Sequence, residues 1–164
     1  MSSSPRDALL AIHACRPIGP NLITAGQPLE SQFAAIREAG FNVVVNLALP
    51  SSTGALPNES SLVTSLGMAY VQLPVDFNSP TSADFQAFSG VMEAFAERRV
   101  FVHCAANMRV SAFIFLYRVL RCGTAEADAK RDLDAIWEPD QVWQKFIDEE
   151  LVRGRKQKWG LLRS

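Results

Sequence analysis

Residues 98–120 read RRVFVHCAANMRVSAFIFLYRVL. A β-branched and aromatic run, Val100-Phe101-Val102, ends in His103 and Cys104, and a strongly apolar segment begins at Val110. The first part predicts a strand over 99–103 and the second a helix over Val110–Arg121 that Gly123 stops. A cysteine therefore stands where a strand hands over to a helix, with Asn107 in mid-loop and Arg109 at its far end. The inward N–H groups of such a loop and the positive end of the helix make an anion cradle of Ala105, Ala106, Asn107, Met108 and Arg109. The same field favours the thiolate of Cys104. Arg109 can fork onto two oxygens of a bound oxyanion, and Asn107 tolerates a positive φ better than most residues. Cys122, at the end of the apolar helix, and Cys15 read as buried structural cysteines.

Outward from this loop, strand and helix signals alternate. NLITAGQ (21–27) reads as a short strand and LESQFAAIREAG (29–40) as a helix closed by Gly40. FNVVVNLAL (41–49) is the β-branched run of a strand buried on both faces. After a loop at 50–60 come a short helix at 59–67 and a strand at 68–75, which DFNSP breaks. Thr81 and Asp84 match a capping box that opens a helix to about Arg98. Two further helices are expected over 124–137 and 139–152, the second with Pro139 near its first turn. The alternation predicts an α/β fold: a mainly parallel central sheet of about four to five strands with helices on both faces. Ligands bind such sheets beyond the carboxyl ends of the strands, which places Cys104 and Asp76 on one rim.

The chain has 164 residues, 48% hydrophobic and 20% charged, which suits one domain over 1–164. Its core is expected at about 20–152, with a short helical lead-in over 1–19 and a basic tail over 153–164. A net charge of -1 offers no global field for nucleic acid or an anionic membrane. Three cysteines and two histidines, without a paired Cys or Cys/His cluster, argue for a reducing, cytoplasmic setting and against a structural zinc site. No run approaches 18 apolar residues. The stretch ALLAIHAC near the N-terminus is too short in its apolar part for a signal segment.

The segment VHCAANMRVS resembles the phosphate-binding loop, H-C-x5-R-[S/T], of cysteine-dependent phosphatases of the tyrosine and dual-specificity type. NLITAGQP, GFNVVVNL and YVQLPV resemble a bacterial branch of that superfamily whose relatives occur beside metallo-β-lactamase-type hydrolase domains. The resemblance spans roughly residues 20–125 and implies a dual-specificity-phosphatase-like fold. In that pattern the arginine falls at 110, where this chain has Val110. The arginine comes one residue early, giving C-x4-R, a spacing also seen in the bacterial branch. Ser111 keeps the position of the usual hydroxyl, and Asn107 replaces the usual glycine. The resemblance thus implies a loop one residue shorter in which Arg109 takes the arginine's role.

Phosphoryl transfer to cysteine also needs a proton donor for the leaving alkoxide. The resemblance implies Asp76, on the loop after the strand that precedes the cysteine strand, though Asp-Phe-Asn-Ser-Pro has turn chemistry of its own. Asp84 is the alternative, with a capping role open to it. Trp137-Glu138-Pro139-Asp140 resembles the Trp-Pro-Asp loop of larger tyrosine phosphatases but follows the cysteine, and Pro139 and Asp140 fit a helix start. His103 orders the loop or is a satisfied core histidine.

The leading expectation is a phosphoric monoester hydrolase of protein-tyrosine or dual-specificity type. It would need no metal or cofactor and would act on a phosphorylated protein or a small phosphoester. The short loop is also the length found in rhodanese-type sulfurtransferases, so a Cys104 persulfide is a second possibility. An oxyanion-binding domain without catalysis is a third. The oligomeric state is not legible. Residues 50–61 and 77–82 are expected to wall the site.

Overall fold

The structure, a computed structural model, describes residues 4–163. Five strands form one sheet: β1 (Arg16–Gly19), β2 (Leu22–Ala25), β3 (Val43–Asn46), β4 (Ala69–Gln72) and β5 (Val100–His103). Their order is β1-β2-β5-β3-β4, with β1 antiparallel to β2 and the other pairs parallel. β5 is central because Val100–His103 is buried on both faces, which a continuous apolar run permits.

The period of two along each strand divides the core. Val43, Val45, Val100 and Val102 face one side, with α4 (Ser82–Ala94), α5 (Met108–Leu120), α6 (Glu126–Asp134) and α7 (Gln141–Leu162). Ile23, Ala25, Val44 and Phe101 face the other, with α1 (Pro5–Leu10), α2 (Phe33–Glu38) and α3 (Glu59–Ser65). α5 is the central helix. Val110, Ala112, Phe113, Ile114, Phe115 and Leu116 are all buried, so it has no polar face to give to water. Thr81 and Asp84 make the reciprocal capping pair that the sequence predicts at the start of α4.

Two expectations need correcting, the lead-in and the cysteines. Of the helical lead-in over 1–19, residues 1–3 lie outside the described residues, and Arg16–Gly19 is an edge strand. RPIG has no periodic signal, since Pro17 and Gly19 fit only an edge; pairing of Arg16 with Thr24 makes it a strand. The basic segment is the exposed end of α7, which runs to Leu162, while Ser164 lies outside the described residues. Cys122 is exposed rather than buried, because the last turn of α5 runs off the core, and Cys15 is half-buried. Among the described residues, no helix is long and apolar enough to cross a membrane.

The candidate active site

Register brings the site together. Ala25 and Asn46 both pair with His103, so β2, β5 and β3 end level and their following residues share one rim. The backbone continues this pairing briefly past the sheet: Cys104 N donates to the Ala25 carbonyl, and Gln27 N to the Ala105 carbonyl. Gly26 is required there. A Cβ on it would lie 2.8 Å from the Ala105 carbonyl oxygen and 2.6 Å from the His13 ring.

Cys104 is 1% exposed at the base of the loop. Asn107 adopts the left-handed conformation, φ 62°, which turns the chain directly into α5. Its side-chain amide donates to the Ala14 carbonyl at 2.9 Å and to Thr24 Oγ1 at 3.0 Å, so the N-terminal segment braces the loop from behind. The early turn starts the helix at Met108, two residues before the expected Val110. Arg109 falls in the first helical turn, and Val110, next to it, packs into the core with no exposure.

Arg109 is 6% exposed. Its Nη1 donates to the Val75 carbonyl at 2.9 Å and its Nη2 contacts Ser52 Oγ at 3.4 Å. The guanidinium is thereby held between the segments that follow β3 and β4. Asp76 immediately follows the carbonyl that Arg109 grips. It is exposed, and one carboxylate oxygen accepts from Asn78 N at 2.9 Å, an Asx turn. Asp84 is occupied in the capping pair with Thr81. The Ser111 hydroxyl donates to the Met108 carbonyl at 3.0 Å and accepts from Trp137 Nε1 at 3.1 Å, so its one proton is directed along the helix. Asp140 caps α7 by accepting from Trp143 N at 2.9 Å, as its sequence context predicts.

Nothing in the local sequence marks Glu59. This first residue of α3 is 3% exposed, and its carboxylate sits behind the loop. It accepts from His103 Nε2 at 2.7 Å, Gln27 Nε2 at 2.7 Å and Asn46 Nδ2 at 3.2 Å. Burial alone would push its pKa up, but the hydrogen bond and charge of His103, aided by the amide of Gln27, hold it below the ordinary carboxylate value. The other ring nitrogen, Nδ1, lies 3.3 Å from the Cys104 carbonyl. Both partners of the ring are oxygen acceptors. Asn46 Nδ2 also donates to the Tyr70 hydroxyl at 3.1 Å. Burial, with the Glu59 charge as a smaller cause, pushes the Tyr70 phenol up to about 12. The network ties the ends of β3, β4 and β5 to the residue before the cysteine. A glutamate in a polar loop-to-helix segment carries no signal of that role.

A strand-to-helix loop holding a buried cysteine, with an arginine folded against the neighbouring loop in this sheet order, defines a cysteine-dependent phosphatase fold. The chain belongs to the family described as "DSP-PTPase phosphatase fused to NAD+ Kinase", which matches residues 20–149. Among solved structures, a phosphatase candidate of the DUF442 group from Shewanella putrefaciens superposes with a TM-score of 0.80 at 35% identity, covering 90% of this chain and 97% of that one. PTPMT1 in complex with PI(5)P superposes with a TM-score of 0.74 at 15% identity, covering 88% and 99%, a likeness of fold. A "Beta-lactamase hydrolase-like protein" of Agrobacterium fabrum is 32% identical over 106 residues, which are 63% of this chain and 24% of the relative. The chain thus spans about a quarter of the curated relatives it matches.

Proposed function

We propose that this domain hydrolyses phosphate monoesters through a phosphocysteine at Cys104. The observation that carries the reading is Arg109: although one residue early, it is buried at the loop and fixed by Val75 and Ser52 instead of pointing to solvent. The Cys104 thiolate attacks phosphorus and forms the S–P bond as the P–O bond to the leaving group breaks. Arg109 and the N–H groups of Ala105–Arg109 stabilise the equatorial oxygens. Asp76 gives its proton to the leaving oxygen. In the second half, water attacks phosphorus, Asp76 takes its proton, the S–P bond breaks, and inorganic phosphate and the thiolate are released. A phosphotyrosine or other phosphorylated protein side chain, or a small phosphoester, is the proposed substrate class.

Turnover of an aryl phosphate by the purified chain with a chelator present tests the reading, with Cys104→Ser abolishing it. Absence of turnover from mildly acidic to neutral pH would overturn it. The loop length, Cys104 to Arg109, also motivates sulfur transfer. That chemistry predicts thiocyanate from thiosulfate and cyanide, and an Asp76→Asn variant with nearly unchanged activity.

A further inference from the structure

Trp137 and Phe77 have no part in the chemistry proposed above. Phe77, the residue after Asp76, packs against two tryptophans, with ring centroids 5.8 Å from Trp137 and 5.8 Å from Trp143. The two indoles meet at 6.2 Å and 69°, so the three rings form a closed cluster. Each indole N–H is also directed. Trp143 Nε1 donates to the Phe77 carbonyl at 2.8 Å, and Trp137 Nε1 donates to Ser111 Oγ on α5. The carbonyl of Val75, on the other side of Asp76, is gripped by Arg109. Both peptide carbonyls flanking the proposed acid are thus pinned, one by the phosphate-binding arginine and one by α7. Trp137 links the acid's neighbour to the helix that carries Arg109.

We infer that Trp137, with Trp143, is a positioning residue that clamps Phe77 and so holds the Asp76 carboxyl in fixed register with Arg109. The inference rests on the phosphatase reading and its assignment of Asp76. On this account WEPD does not supply the acid: its aspartate starts α7, and its tryptophan locks the segment that carries the acid.

Two measurements on wild type, Trp137→Phe and Phe77→Leu test it. Trp137→Phe keeps a ring but loses the N–H to Ser111; Phe77→Leu keeps apolar bulk but loses the ring cluster. Amide hydrogen exchange reads the clamp without activity. Both variants should speed exchange at Asn78 and Ser79, whose amides close the Asp76 turn, while β5 amides keep their wild-type rates. The second measurement is kcat/KM on two aryl phosphates, one with an acidic and one with a weakly acidic leaving phenol. Trp137→Phe should lose about 10-fold on the poor leaving group and less than about 2-fold on the good one, short of the roughly 10² that a larger misplacement costs. Asp76→Asn should show the same bias more strongly, and adding Trp137→Phe to it should cost little more. Equal losses on both substrates, or unchanged exchange at Asn78 and Ser79, would overturn the clamp. An unbiased Asp76→Asn would instead overturn the acid assignment, and an inactive wild type the phosphatase reading, and the inference would fall with either.

Discussion

Replacing Glu59 should damage the fold and the loop together. The carboxylate is 3% exposed and accepts from three side chains, one of them His103, which is fully buried. Glu59→Ala leaves the buried His103 Nε2 and the amides of Gln27 and Asn46 without their acceptor, a loss of about 1–3 kcal/mol for a buried polar group left unsatisfied. Against a total of about 5–15 kcal/mol for a domain, such a loss is a sizeable part of the stability. Glu59→Gln keeps the volume, but its amide presents N–H groups to donors, so it should also cost on the order of 3 kcal/mol. Equilibrium urea unfolding at neutral pH measures both. The pH dependence follows from the direction of the shift. A carboxyl held below its ordinary value stabilises the fold at pH values above the unfolded value, about 4.3, and that contribution is lost as pH falls through the folded value. Wild type should therefore lose stability on acidification below about 4.3, and Glu59→Gln should show a shallower acid limb. A double-mutant cycle with His103→Asn should be non-additive by about 1–3 kcal/mol. A cost under about 1 kcal/mol for Glu59→Ala, or an additive cycle, would refute the idea of a mutually dependent buried pair.

Arg109→Lys keeps the charge but loses the planar fork, and should lower kcat/KM on an aryl phosphate by about 10²-fold or more, with weaker competition by inorganic phosphate. The double variant Arg109→Ala with Val110→Arg should gain nothing in activity and should unfold more easily, because residue 110 faces the core; higher activity than wild type would contradict the register. Gly26→Ala should lower activity through the loop, since its Cβ would meet the Ala105 carbonyl, part of the cradle backbone; the same kinetic assay reads it. Asn107→Gly should be milder than Asn107→Val in urea unfolding, because a β-branched residue at φ 62° adds about 1–2 kcal/mol of strain to the lost hydrogen bonds.

What could be read from the sequence was what local patterns dictate. Val43–Asn46 and Val100–His103 are continuous apolar runs, so strands buried on both faces followed directly, and Thr81 with Asp84 declared a helix start. The strand-to-helix turn around Cys104 was legible because strand, cysteine, asparagine and arginine are contiguous. β1 was not, since four residues with a proline and a glycine become a strand only by pairing with Thr24 and its neighbours. Glu59 was not, since its role depends on His103, 44 residues away, and on Gln27 and Asn46 from two other segments. Trp137 looked like half of a misplaced motif, and only its contact with Phe77 and its hydrogen bond to Ser111 show where it packs. Side chains that act across elements leave no periodic trace.

In the proposed reaction Cys104 forms a covalent bond to phosphorus in a cradle completed by Arg109. Acid quench of wild type during turnover of an aryl phosphate, followed by peptide mass spectrometry, tests it most directly. Phosphate should appear on Cys104 and accumulate before hydrolysis, and none should appear in Arg109→Ala. Turnover without label on Cys104, label on another residue, or a persulfide formed there from thiosulfate with no phosphatase activity would contradict it.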